Sequence, residues 1–79
     1  MEEKQIIKKI ENCILKTIDL KCIKINRETT ANDVDGWDSL SHMGIIVEVE
    51  NEFNINFQFS EIANLKNIGD FVDLINSKI

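Results

Sequence analysis

Two polar side chains one helical turn apart, Ser39 and His42, are the first candidates for chemistry. Residues three apart on a helix share a face, so the imidazole could contact the hydroxyl as in nucleophilic catalysis. A hydrolase triad also needs an orienting acid and an oxyanion hole inside a cleft. The chain has one histidine, no glycine-flanked nucleophile elbow at Ser39 and only 79 residues in which to build a cleft. We therefore predict that the protein is not an enzyme and that His42 lies exposed on a helix.

A partial calcium-loop pattern precedes the serine. Acidic residues at 33 and 35 with Gly36 match positions 3, 5 and 6 of such a loop. The same register places Ala31 at position 1 and His42 at position 12, where oxygen ligands are required. Two decisive ligands are missing, so we predict no metal site.

The two cysteines, Cys13 and Cys22, have neither a redox spacing nor the spacing of a zinc site. We interpret Cys13 as a buried thiol and Cys22 as a loop thiol. The chain contains no apolar run of the ~18 residues that a membrane span needs, and its N-terminus lacks the layout of a secretory signal. We expect a soluble, cytoplasmic, monomeric protein without membrane insertion.

Helical periodicity dominates the elements that must position these residues. Apolar residues at three- and four-residue steps predict a first helix over residues 2–18, and a second from Asp38 or Ser39 to about Asn51 or Phe53. Residues 20–38 show no period and predict a long loop, a feature that usually has a function in a small domain. Alternating apolar residues from Phe53 to Phe59 predict an extended connector that places its aromatic rings in the core.

The remainder of the chain predicts two further helices. Ser60 is expected to cap a single turn that ends at Leu65, and Asn67 to cap a last helix over residues 68–79. The predicted fold is all-α: one domain over residues 1–79, forming a small four-helix bundle with a minimal third helix and a long loop between helices 1 and 2.

The net charge of −5 is unevenly distributed along the chain. Residues 1–27 carry seven Lys or Arg against four Asp or Glu, whereas residues 28–65 carry eight acidic groups and no Lys or Arg. Such a middle segment repels phosphate backbones and attracts basic protein surfaces. We therefore exclude nucleic acid and expect basic protein partners.

A serine that begins a helix after a long acidic loop is also a favourable place for a phosphate, because helix N-termini present free N–H groups. The segment at positions 36–43, GWDSLSHM, followed by EVENEFNI at 48–55, resembles the acyl carrier protein family. The resemblance continues through Leu65 and the final helix, and with the first helix it covers essentially the whole chain. It implies a phosphopantetheine arm, which a transferase would move from coenzyme A onto Ser39, and an acyl group held on the arm's thiol as a thioester.

The resemblance also implies roles for neighbouring residues. Asp38 would assist docking to the phosphopantetheinyl transferase, and an apolar ridge, itself expected to be core, would line a slot for the acyl chain. The residues of this ridge and its facing side are Leu40, Met43, Ile46, Val47, Ile62 and Leu65. Negative charge from Glu48, Glu50 and Glu52 would receive the basic surfaces of acyl ligases or of acyl-transferring and condensing enzymes.

Two positions depart from the pattern of carriers that serve general fatty-acid synthesis. Ser41 replaces an Asp, and Gly44 replaces a Glu on the turn nearest the modified serine, where it would leave the partner-facing rim one charge short. These departures favour a specialised carrier. Two alternatives remain open: a carrier of aminoacyl or peptidyl groups, and an acidic helical adaptor without any prosthetic group.

Overall fold

Four α-helices joined by loops form the whole structure. The computed structural model describes residues 1–79, and the helices are α1 (Glu3–Thr17), α2 (Ser39–Phe53), α3 (Phe59–Ala63) and α4 (Ile68–Lys78). The all-α prediction with a short third helix is confirmed, and the ends of α1 and α2 lie within two residues of their predicted positions. None of the helices has the length and apolar character that crossing a bilayer requires.

The core is formed mainly where α1 crosses α2, and α4 closes it from the side. Each long helix contributes one apolar stripe, at the three- and four-residue steps of an amphipathic helix. The fully buried members are Ile6, Ile10, Cys13 and Ile14 from α1, Ile45, Ile46 and Val49 from α2, and Ile68, Val72 and Ile75 from α4. The predicted apolar ridge did not include Ile45.

Both cysteines are free, with Cys13 in the core and Cys22 exposed on the loop, as predicted. Burial, assisted by the negative charge of Glu52, raises the pKa of the Cys13 thiol to about 11. The thiol is therefore protonated at neutral pH and acts as a small apolar side chain.

Side-chain caps define where the last two helices begin. The Asn67 side chain accepts a hydrogen bond from the Asp70 N–H at 2.8 Å, which confirms the predicted cap of α4. The predicted Ser60 cap is wrong: α3 begins two residues earlier than predicted, at Phe59, with Gln58 as N-cap. The Glu61 carboxylate accepts from the Gln58 N–H at 2.8 Å and so satisfies a donor outside the first turn.

Residues 55–58 form a connector without helix or strand, shorter than the predicted 53–59 because Phe53 belongs to α2 and Phe59 to α3. Asn54 ends α2 in the left-handed conformation, and the Glu50 carboxylate accepts from the Phe57 N–H at 2.8 Å. Phe57 packs on the core, but Phe59 is 83% exposed, so the prediction that every ring of this segment is buried is wrong for Phe59. Phe59 lies in α3, where the helical period replaces strand alternation and turns its side chain outward.

The long loop between α1 and α2 is docked onto the first turn of α4 by its backbone. The Thr29 carbonyl accepts from the Ile68 N–H at 2.9 Å, and the Arg27 carbonyl accepts from the Gly69 N–H at 2.8 Å. A Cβ at Gly69 would lie 3.1 Å from that carbonyl oxygen, so glycine allows the close approach. The loop thus satisfies two of the four N–H groups that a helix N-terminus leaves unpaired.

Charged groups fasten the same part of the loop to two helices. The Arg27 guanidinium pairs with Glu3 of α1 and with Asp73 of α4, and the Glu11 carboxylate accepts from the Ile25 N–H at 3.0 Å. Exposed ion pairs are each worth about 0–1 kcal/mol, so the backbone contacts and the buried Ile25 and Val34 side chains hold the loop more firmly.

Gly44 lies where α2 approaches α1. It does not lie on the outward-facing surface of α2, where a side chain could meet a partner protein. A Cβ at Gly44 would lie only 2.8 Å from Cγ2 of Thr17. Thr17 cannot turn away freely, because its hydroxyl donates to the Cys13 carbonyl at 3.1 Å. The interpretation of Gly44 as a missing surface charge is therefore wrong: glycine at this position permits the helix contact.

Gly44→Ala is expected to destabilise the fold by about 1 kcal/mol, since overpacking costs about 1–3 kcal/mol and alanine returns about 1 kcal/mol of helix propensity. Thr17→Ser removes the obstructing methyl group, so the double variant should recover the loss, with Thr17→Ser alone as the control. Urea denaturation of the four proteins measures the coupling. A Gly44→Ala protein more stable than the parent would contradict the close-contact explanation.

Candidate functional site

Ser39 is the first residue of α2, and its side chain is exposed. The hydroxyl makes no hydrogen bond within the protein, so it takes no part in capping the helix. Of the two neighbouring residues, Asp38 caps α2 with its side chain, and the Ser39 hydroxyl is free.

Asp38 caps α2 through a single carboxylate oxygen. Its Oδ1 accepts from the Leu40 N–H at 3.0 Å and from the Ser41 N–H at 2.9 Å, while Oδ2 has no partner. Hydrogen bonds from the Ser41 backbone and hydroxyl hold the pKa of the Asp38 carboxyl below its ordinary value. Asp38 thus remains an anion beside Ser39 and keeps one oxygen available to solvent.

Ser41 completes this cap from inside the helix, a role that the sequence analysis missed. Its hydroxyl accepts from the Asp38 N–H at 2.8 Å and donates to the Gly36 carbonyl at 2.7 Å. The signal was present as Asp-x-x-Ser, which has the spacing of a capping box. Gly36 adopts a φ of +88°, and its Cβ position is blocked by Ile18 at 2.8 Å, so only glycine fits the turn.

His42 is paired with Trp37, so the prediction of a free surface histidine is wrong. The Trp37 Nε1–H donates to Nδ1 of His42 at 3.0 Å, and the two rings stack with centroids 6.0 Å apart. The pair spans from the loop to the first turn of α2. It fixes the residue before the cap against the same helix face that carries Ser39.

A shallow depression of about 330 Å³ adjoins Ser39 on the loop side of α2. The loop contributes one wall, and the start of α2 contributes the other. Its lining residues are Ala31, Asn32, Trp37, Asp38, Ser39 and His42. In the short 3₁₀ turn that forms the loop wall, the Asp33 carboxylate accepts from the Thr30 N–H at 2.9 Å, so this acid of the partial calcium pattern caps a turn.

The predicted apolar ridge is divided by the structure. Ile46 is buried, but Leu40, Met43 and Val47 are 85%, 51% and 49% exposed, so the prediction that the ridge is core is wrong for these three. Ile62 and Leu65 pack half-buried against the core. No cavity in the structure is lined by two or more of these six residues. The role of the set in holding an acyl chain stays a prediction.

The three predicted partner-recognition carboxylates differ in what they contact. The Glu52 carboxylate pairs with the Lys9 ammonium at 2.9 Å, which lowers the pKa of Glu52, and Glu50 accepts from the backbone N–H of Phe57. Glu48 has no partner within the protein. Of the three carboxylates, Glu48 is therefore the one that is free to pair with a group on another protein.

Comparisons with known proteins agree on one family. The family described as phosphopantetheine attachment site matches residues 8–75. An acyl carrier protein of Exiguobacterium sibiricum is 27% identical over 79 residues, the full length of both chains. An acyl carrier protein homolog of Mycoplasma genitalium is 49% identical over 35 residues, which cover 44% of this chain and 42% of that one.

A solved structure is similar over most of the chain. It is the solution NMR structure of a holo acyl carrier protein from Geobacter metallireducens, with a TM-score of 0.82 and 42% sequence identity. The match covers 91% of this chain and 83% of that one. The helical arrangement described above is therefore shared with a carrier of the same family.

Ser41→Ala is expected to destabilise the protein by about 1 kcal/mol at neutral pH, because the Asp38 N–H and the Gly36 carbonyl both lose their partner. The Asp38 pKa is depressed in the folded state, so its contribution is present above the ordinary value of 3.8 and is lost as the pH falls through the folded value. The difference in the free energy of unfolding between the parent protein and Ser41→Ala should therefore become smaller as the pH is lowered. Urea midpoints at pH 7 and pH 3 measure it, and a difference that widens at pH 3 would count against the cap.

Proposed function

Because this chain belongs to the phosphopantetheine-attachment family of acyl carrier proteins and carries acyl groups on a phosphopantetheine arm, we propose that Ser39 is the residue to which the arm is attached. The observation that carries the proposal is the free, exposed hydroxyl at the first residue of α2, directly after a capped turn. A transferase needs such a hydroxyl to be reachable and held in one place, and the cap at Asp38 holds it.

The residues around Ser39 fit the prosthetic group. The hydroxyl has no competing hydrogen bond, and the open depression beside it leaves space for the first part of an arm. When bound, the arm supplies a thiol that holds an acyl group as a thioester. The chain's own contribution is to anchor the arm at a rigid helix start and to raise its effective concentration at a docked partner.

Asp38 supports docking of the phosphopantetheinyl transferase through its unpaired Oδ2. The carboxylate stays ionised because its pKa is lowered by the cap, so it presents charge next to the reacting hydroxyl. The same residue thus keeps its structural role through Oδ1 while it faces the transferase through Oδ2.

Partner enzymes are proposed to bind the outer face of α2. Leu40, Met43 and Val47 expose apolar surface along this helix, and Glu48 supplies an uncommitted negative charge beside them. Apolar contact with an acidic rim suits an acyl ligase, acyltransferase or condensing enzyme with a basic surface. We propose that the chain itself catalyses no step of these reactions.

The carrier is proposed to be a specialised one, although Gly44 no longer supports that idea. Ser41 remains as a difference from the carriers that serve general fatty-acid synthesis. Its hydroxyl accepts from the Asp38 N–H in the cap, so an Asp is not required at this position. An aminoacyl or peptidyl cargo remains the alternative cargo. The adaptor without a prosthetic group is the other alternative, and the cytoplasmic location and monomeric state stay predictions.

Ser39→Ala is expected to abolish loading and to leave stability within about 0.5 kcal/mol, because the hydroxyl makes no contact within the protein. Intact mass after incubation with coenzyme A, Mg²⁺ and a phosphopantetheinyl transferase measures loading. Ser60→Ala, at an exposed serine in the first turn of α3, is the matched control and should load fully. A loaded Ser39→Ala protein would identify another attachment residue, and an unmodified parent protein would favour the adaptor.

Glu48→Gln is expected to lower the transferase kcat/KM by about two- to fivefold at low salt, the equivalent of one exposed ion pair, with the effect disappearing at high salt. Glu52→Gln is the control on the same helix, because its carboxylate is already paired with Lys9. That variant should change the melting temperature more than the kinetics. Equal kinetic losses for the two variants would contradict the assignment of Glu48 as the partner-facing charge.

A further inference from the structure

The hydrogen bond between Trp37 and His42 fixes which imidazole nitrogen carries the proton. An indole N–H can only donate, so Nδ1 of His42 must be the acceptor, and the proton of the neutral ring is on Nε2. The Nε2–H is then a donor of fixed orientation. It has no partner within the protein, and neither the fold nor the cap of α2 makes use of it.

This unused donor belongs to the same part of the surface as Ser39. His42 follows Ser39 by three residues, so the two side chains share a helix face. Both line the depression on the loop side of α2. Asn32 is the other uncommitted polar side chain among the lining residues, but it lies on the exposed 3₁₀ turn and is not fixed by a second contact.

We propose that His42 positions the phosphopantetheine arm by donating its Nε2–H to the phosphodiester on Ser39, an inference that rests on Ser39 being the attachment residue. The phosphodiester adds a negative charge next to the Asp38 carboxylate, so a nearby donor offsets that repulsion. Trp37 contributes indirectly, because its hydrogen bond to Nδ1 keeps the proton of the neutral His42 ring on Nε2. The arm therefore leaves Ser39 along the loop side of α2, over the stacked Trp37–His42 pair.

Few charged groups surround the contact. Those that line the same surface as His42 are Asp38, one turn earlier on α2, and Lys66, on the segment before α4. The loop residues that line this surface are uncharged: Thr29, Ala31, Asn32 and Trp37. The Nε2–H therefore offers the phosphodiester a donor in a part of the surface where Asp38 is the other negative group.

Phosphorus NMR of the loaded, thiol-alkylated protein tests this contact, because the arm contains one phosphorus and its resonance reports the hydrogen bonds of the phosphodiester. We expect His42→Ala, which removes the donor, to displace the ³¹P resonance from its position in the parent protein. His42→Gln, which can still accept from Trp37 and donate to the phosphate, should displace it less. Asn32→Ala is the matched control and should leave the resonance in place.

The Trp37 indole ¹H–¹⁵N resonance provides an independent readout, since the chain has one tryptophan. It should shift on loading in the parent protein, because a phosphodiester bound at Nε2 polarises the imidazole to which the indole donates, and it should not shift on loading in His42→Ala. A ³¹P resonance that is unchanged in His42→Ala, or displaced equally by Asn32→Ala, would overturn the proposal while leaving the attachment at Ser39 intact. Mass spectra without an arm on Ser39 would overturn both.

Discussion

The structure depends above all on satisfying the backbone of a long loop. Residues 18–38 contain only one short turn of helix, and unpaired backbone groups next to a core are costly. The loop meets this constraint by giving its Arg27 and Thr29 carbonyls to the first turn of α4, whose N–H groups also need partners. The unpaired carbonyls of the loop and the unpaired N–H groups of α4 thereby satisfy each other. Gly69 is required at that contact because a side chain would separate the two backbones.

The same constraint positions the candidate site. Since the loop is held against α4, its last residues approach α2 in one direction, through the left-handed turn at Gly36. The cap of Asp38 and Ser41 then fixes the first turn of α2, and Trp37 reaches forward to His42. Among the polar side chains of residues 37–42, the groups without a partner are therefore the Ser39 hydroxyl, Oδ2 of Asp38 and the second nitrogen of His42. These three are the groups available to molecules from outside.

The sequence predicted the helices well because their signals are local. Apolar periodicity placed α1 and α2 within two residues, and the cap at Asn67 placed the start of α4. The proposed attachment serine followed from a motif resemblance. The Ser60 cap and the burial of Phe59 were wrong because α3 begins earlier than its local signals indicated. The interpretation of Gly44 was wrong because it depended on a contact with the distant Thr17. The exposure of Leu40 and Met43 also escaped prediction, because periodicity indicates a second apolar stripe but not whether a neighbouring helix is long enough to cover it.

The docking of the loop on α4 has a consequence for folding. Arg27 and Gly69 are about forty residues apart in the chain, and Lys9 of α1 and Glu52 of α2 are as far apart, so loop closure must precede both contacts. The turn before Ser39 is held through the loop, so it is fixed only in molecules in which α4 is already in place. A modifying enzyme that recognised this fixed helix start would therefore act on completed molecules.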